Sequence, residues 1–275
     1  MAVKYLEKAR SMDGNNSTVL DALGEAYCEL GNIPQGVECL KASIALNPVN
    51  GYQKYFYMGQ LLEGKESIQY ITEGIQVVRS ALQRLSPSEE DYDEVLGHLV
   101  GGLCSAAELY LTDLCYDENA EQLCSSFIEE ALQLAPLHFE ALQSLASLRL
   151  SQQRPDDAKE AMLKSVAQWK DLEFEERPLM DIRINGLKML LEVGELDLCA
   201  DLVELMLEED DENVELWYLR GFCASADGDN EEAVSAVERA LELLSKFDQM
   251  DNSELAEKVK ELLQEVRAKS MMHTA

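Results

Sequence analysis

Carboxylates, thiols and imidazoles are the side chains of this sequence that could do chemistry, and their spacing decides which chemistry is open to them. The 275 residues hold 53 Asp and Glu against 23 Lys and Arg, with 7 Cys and 3 His. The acids concentrate in EEDYDE at 89–94, EEDDE at 208–212 and DGDNEE at 227–232. General acid–base catalysis needs two titratable groups held around one reacting bond, which acids strewn along solvated segments do not supply. Cys28, Cys39, Cys104, Cys115, Cys124, Cys199 and Cys223 are scattered and form no C-x-x-C pair. They read as reduced, core-packing thiols of a cytosolic or nuclear protein. His98, His138 and His273 are too few and too far apart to complete a metal shell with them. No G-x-S-x-G elbow, phosphate-cradling glycine loop, zinc-type histidine pair or Ser/His/Asp set is present. The expectation is a protein that is not an enzyme and takes no metal or cofactor.

The charge balance points to partners instead. A net charge of −30 and a pI near 4.3 repel nucleic acid and anionic membrane, and attract basic partners over about a Debye length. Each acidic run by itself reads most plainly as a solvated turn or surface. The total is harder to explain that way, because self-repulsion destabilises the compact state and a basic ligand relieves it. There is no run of 18 apolar residues, and the opening MAVKYLEKAR has no apolar signal core. A soluble chain in cytoplasm and nucleus is therefore expected, with no direct contact to nucleic acid or membrane.

The elements that must position these acids are helices. Apolar residues recur at three- and four-residue spacing almost throughout, strand-like alternation is absent, and only 6 Pro and 15 Gly interrupt the pattern. The helices repeat with a period of 34: Ala2, Leu6, Ala9 and Gly14 fall on Gly36, Leu40, Ser43 and Pro48, and Gly194 falls on Gly228. This is the spacing of the tetratricopeptide repeat, a helical hairpin whose small residues allow close helix approach. LGEAYCELG at 23–31 is its clearest copy, with Leu23 and Gly24 at the contact, Tyr27 as the wedge, Gly31 at the turn and Pro48 ending the second helix.

The expected architecture is all-α, a right-handed superhelical tetratricopeptide-repeat solenoid forming a single domain over 1–275. Its units are a half repeat at 1–16, then 17–50, 51–85, 86–138, 139–173, 174–213 and 214–248, with an amphipathic capping helix at 252–270. The first unit begins in mid-repeat, so natural sequence is expected before Met1. The unit 86–138 is overlong; Ser86 or Ser88 is expected to cap an elongated helix standing proud of the solenoid. Gly97, Gly101 and Gly102 in that helix read as sites of close packing rather than a hinge.

In such a solenoid the first helix of each repeat lines the concave face. The register places Asp21, Glu25 and Glu29 there, then Phe56, Gln60 and Glu63, Asp113 and Tyr116, Glu140 and Gln143, and Glu215, Tyr218 and Phe222. Acids mixed with aromatics suit Arg and Lys side chains, through charge-assisted hydrogen bonds and ring stacking. For any one of them, an ordinary exposed or half-packed side chain is the plainer reading. Asp21 and Glu25 stand where a carboxylate clamp of the heat-shock co-chaperone type would need Lys and Asn, which argues against that function.

Four stretches carry a more specific likeness: KYFYMGQLLEGKESIQYITEGIQVV at 54–78, AAELYLTDLCYDENAEQLC at 106–124, EALQSLASLRLSQQRPDDA at 140–158, and LLEVGELDLCADLVELMLEEDDENVELWYLRGF at 190–222. They resemble the dedicated assembly chaperones of the large-subunit ribosomal protein L4, known chiefly from fungi. The resemblance implies a client, the basic internal loop of that protein, held in the acidic groove and kept soluble until ribosome assembly in the nucleus, with a nuclear import factor reached through the client. It also implies an acidic C-terminal tail, which is not evident before Ala275. A general adaptor joining two proteins and an acidic histone-type chaperone remain as alternatives.

Overall fold

The computed structural model describes residues 2–246 and 254–273. Among them every regular element is helical: α1 (Ala2–Met12), α2 (Ser17–Glu29), α3 (Ile33–Leu46), α4 (Gln53–Leu61), α5 (Gly64–Leu82), α6 (Tyr92–Leu111), α7 (Ala120–Leu134), α8 (Phe139–Ser151), α9 (Pro155–Ala167), α10 (Met180–Glu192), α11 (Leu196–Leu207), α12 (Val214–Asp227), α13 (Asn230–Lys246) and α14 (Glu254–His273). Contacts gather the chain into two compact units, Met1–Ser151 and Gln152–Ala275, where the sequence reads as one solenoid over 1–275.

Local chemistry sets the helix ends. Asn16 and Asn213 cap α2 and α12, their side-chain oxygens accepting from the backbone N–H groups of Val19 (3.2 Å), and of Glu215 (3.1 Å) and Leu216 (3.2 Å). Gly31 (φ +74°) and Gly228 (φ +89°) end the same two helices in the left-handed region, where a Cβ would strain the chain.

In the first unit, α2 and α3 meet through glycine. A Cβ on Gly24 would lie 2.7 Å from Leu40 Cγ, and one on Gly36 would lie 3.0 Å from the Gly24 carbonyl oxygen. Leu20, Leu23 and Cys39 fill the core beside this crossing, with Leu6 and Tyr27 packed against it. The main core of the unit lies under α4 to α8, built from Ile71, Ile75, Val78, Leu99, Val100, Leu103 and Ala131.

The overlong unit resolves differently from its sequence reading. Residues 86–91 are turns, with the Ser86 N–H donating to Glu89 Oε1 at 2.7 Å, and α6 begins only at Tyr92. Neither Ser86 nor Ser88 caps it; Asp91 is the N-cap and makes no side-chain cap bond. Nor does α6 stand proud, because Leu99, Val100, Leu103, Cys104, Ala106 and Ala107 are all buried. Of its glycines Gly102 is a close-packing site, its Cβ position 2.6 Å from Phe56 Cζ, whereas Gly97 and Gly101 face open space.

In the second unit α12, α13 and α14 share a core of Val237, Ala240, Leu243, Val259, Leu263 and Val266. This is the capping packing expected of 252–270, whose first two residues lie outside those described. Gly221 is the equivalent of Gly24, with its Cβ position 2.4 Å from Val237 Cγ2. A buried cluster holds the segment before α10. Arg183 stacks over Trp169 at 5.7 Å and pairs with Glu209, which Arg177 also meets.

Candidate functional site

The best-formed candidate face is on α2. Asp21, Glu25 and Glu29 are one turn apart, so helical geometry stacks them on one side. Burial pushes the Glu25 carboxyl up, and the neighbouring charges of Asp21 and Glu29 add to the rise. Tyr57 of α4 lies within their field: burial raises its phenol, and Glu25 and Glu29 raise it further. Two acids and a half-buried ring therefore share one surface, the arrangement that accepts a guanidinium by hydrogen bond and by stacking. Asp21 has a second role. Its carboxylate stands near Lys54, a fully buried lysine whose Nζ donates to the Asn47 carbonyl at 2.6 Å and Ser43 Oγ at 3.3 Å. Burial lowers the Lys54 pKa, and Asp21 opposes that fall.

A second acidic pair joins α6 to α8. Glu140 is half-buried, and its pKa is raised to about 7 by burial first and by Glu108 second. Cys104, on the same side of α6, is pushed up to about 12 by burial and by Glu140 and Glu108. Two carboxylates held together in this way favour either a shared proton or an incoming cation.

The remaining expected positions divide. Gln60 and Glu63 are exposed. Phe56 is not a groove residue: its ring turns into the α5–α6 core, where Gly74 and Gly102 leave it room, with its Cε1 only 2.9 Å from the Gly74 Cβ position. Gln143 is buried, with its amide nitrogen lacking a partner. Asp113 and Tyr116 lie beyond the end of α6 on the 112–119 loop, where Asp113 Oδ2 accepts the Gly64 N–H at 3.1 Å and Tyr116 is 98% exposed. In the second unit Glu215 pairs with Lys188 at 2.7 Å, Tyr218 packs against the α12–α14 core, and Phe222 is 38% exposed.

Tyr57, Glu108 and Cys104 were not anticipated. A signal for Glu108 existed: Ala107-Glu108-Leu109-Tyr110 repeats Gly24-Glu25-Ala26-Tyr27, and Ala107 is buried against α7 as Gly24 is against α3. That alignment puts Glu108, not Asp113, at the Glu25 position.

Comparison with known proteins follows the same lines. Residues 214–243 match the tetratricopeptide repeat family. A Schizosaccharomyces pombe protein named "Probable assembly chaperone of rpl4" is 29% identical over 254 residues, covering 89% of this chain and 74% of that one. An Emericella nidulans protein of the same name is 33% identical over 236 residues, covering 81% of this chain and 58% of its own length. The solved structure "Assembly Chaperone of RpL4 (Acl4)" superposes with a TM-score of 0.76 at 28% identity, over 85% of this chain and 92% of that one. The chain is similar to these rpl4 assembly chaperones over most of its length. Its fold is all-α and of the tetratricopeptide-repeat type. A tetratricopeptide repeat protein from Parabacteroides merdae, 14% identical with a TM-score of 0.58 over 97% of this chain and 91% of that one, shares the fold alone.

Proposed function

We propose that this chain is a dedicated assembly chaperone of ribosomal protein L4, one that works by binding and not by catalysis. It holds the basic extended loop of its client on the acidic faces of its repeats, keeps that client soluble in the cytoplasm, and accompanies it to the nucleus, where an import factor acts through the client. The carrying observation is the α2 face, where Glu25 and Glu29 flank Tyr57 and neither acid forms an ion pair with a cation among the described residues. A net charge of −30 supplies the long-range attraction, and the names of the two fungal relatives and of the solved structure supply the client. Loops rich in Arg and Lys otherwise bind RNA or aggregate, and an acidic surface competes for the same charges.

The test is the affinity of the full chain for the isolated L4 loop across a salt series, with core histones as competitors. Binding that weakens steeply with salt and survives histone competition supports the reading. A flat salt dependence overturns its electrostatic part, and displacement by histones favours a general acidic chaperone.

A further inference from the structure

A lysine is seldom buried without a counter-charge, because taking an ammonium out of water costs more than neutral acceptors return. Lys54, on the inward side of α4, is 1% exposed. Its Nζ donates to the Asn47 carbonyl and to Ser43 Oγ, and Ser43 in turn donates to the Ser17 carbonyl at 3.3 Å, so both of its acceptors are neutral. The compensating charge is Asp21 on α2. A Cβ on Gly51 would lie 3.4 Å from Asp21 Oδ2 and 3.8 Å from Lys54 Nζ, so carboxylate and ammonium face one spot across the turn that Gly51 makes at φ +71°. Asp21 Oδ1 is buried as well and has no hydrogen-bond partner.

That carboxylate departs from the others of its stripe. Asp21, Glu25 and Glu29 start from one side of α2. Glu29 is exposed and Glu25 half-buried, whereas Asp21 turns its Oδ1 into the interior. A carboxylate oxygen without a donor loses its hydration there, and the charge of Lys54 offsets that loss. Without that charge, the stable place for the Asp21 side chain is the solvated face beside Glu25. The geometry points to Lys54 as a positioning residue of the α2 face: from the core it holds Asp21 back and leaves Glu25 and Glu29 as the acids that meet a cation. This inference rests on the proposed function of that face. Lys54 is too deeply buried to touch a client, so its effect passes through Asp21.

Binding of the isolated L4 loop to the full chain at low salt tests it, with Lys54→Met and with Lys54→Gln, the second keeping an amide donor for the Asn47 carbonyl. Each is expected to bind the loop roughly two- to fivefold more tightly than the wild type, because a third acid reaches the face. In an Asp21→Asn background the same substitutions are expected to give no gain. Weaker binding means a purely structural role, and an equal gain in both backgrounds means that Lys54 acts by its own charge; either result overturns the proposal. Carbodiimide labelling of the wild-type carboxyls gives a reading that needs no Lys54 variant. Glu29 is expected to label and to be protected by the loop, and Asp21 to do neither; Asp21 labelling as fast as Glu29 overturns the proposal. A wild-type chain that does not bind the loop overturns the proposed function of the face and this inference with it. Wild-type binding without the Asp21-dependent gain overturns this inference alone.

Discussion

Arg183 meets Glu209 in a two-pronged ion pair, Nη1 to Oε1 at 2.8 Å and Nη2 to Oε2 at 2.6 Å, with 4% and 6% of the two side chains exposed. Removing one partner of a buried pair leaves the other charge uncompensated, which costs about 3–5 kcal/mol. Glu209→Ala is therefore expected to lower unfolding stability by that amount in urea denaturation. Burial alone pushes the Glu209 carboxyl up, but the hydrogen bonds and charges of Arg183 and Arg177 outweigh it and hold the pKa below the ordinary value. A depressed acid contributes stability above its unfolded pKa and loses it as pH falls through the folded one. The wild type should thus lose more stability than Glu209→Gln between about pH 5 and pH 3; parallel curves would contradict this.

Glu140 carries the opposite sign. Its pKa is raised to about 7, so the fold favours the protonated form and bears a penalty once pH rises above the unfolded value near 4.5. Glu140→Gln is expected to stabilise the chain by about 1–3 kcal/mol at pH 8, with the gain fading toward pH 4.5. Denaturation at both pH values checks it, and an equal effect at each would show that Glu108 and burial do not act as described.

Gly36 tests the helix crossing. A Cβ there would lie 2.3 Å from Cys28 Sγ, so Gly36→Ala is expected to cost about 1–3 kcal/mol. Adding Cys28→Ala should restore part of that loss, though not all, because the Gly24 carbonyl remains 3.0 Å away. Full additivity of the two substitutions in thermal unfolding would rule out the contact.

Phe56 and Tyr57 are adjacent in sequence and separate in role. Phe56→Ala empties part of the core beneath Gly74 and Gly102, with an expected loss of about 3–5 kcal/mol. Tyr57→Ala removes a half-buried ring beside Glu25 and Glu29. It should change stability by about 1 kcal/mol while weakening binding of the basic client loop several-fold. Fluorescence anisotropy with a labelled loop, read beside a melting curve, separates the two effects; unchanged affinity in Tyr57→Ala would remove the ring from the binding face.

The sequence alone determined the helical class and the hairpin repeat, because small residues at the crossing and turn residues at the ends act locally and recur in register. Gly24, Tyr27 and Gly31 are legible for that reason. It also determined the charge, and so the sign of partner that long-range electrostatics favours. Only the tertiary structure decided which face each acid presents, because that depends on helix ends and on what a neighbouring helix leaves empty. A six-residue turn before Tyr92 and a helix end at Leu111 carry Asp113 and Tyr116 off the helix face. Two glycines on other helices, Gly74 and Gly102, draw Phe56 inward. The pairing of Glu140 with Glu108 comes from side chains 32 residues apart on α8 and α6; the repeat register can set each acid on its own helix, but only the packing of the two helices brings them together.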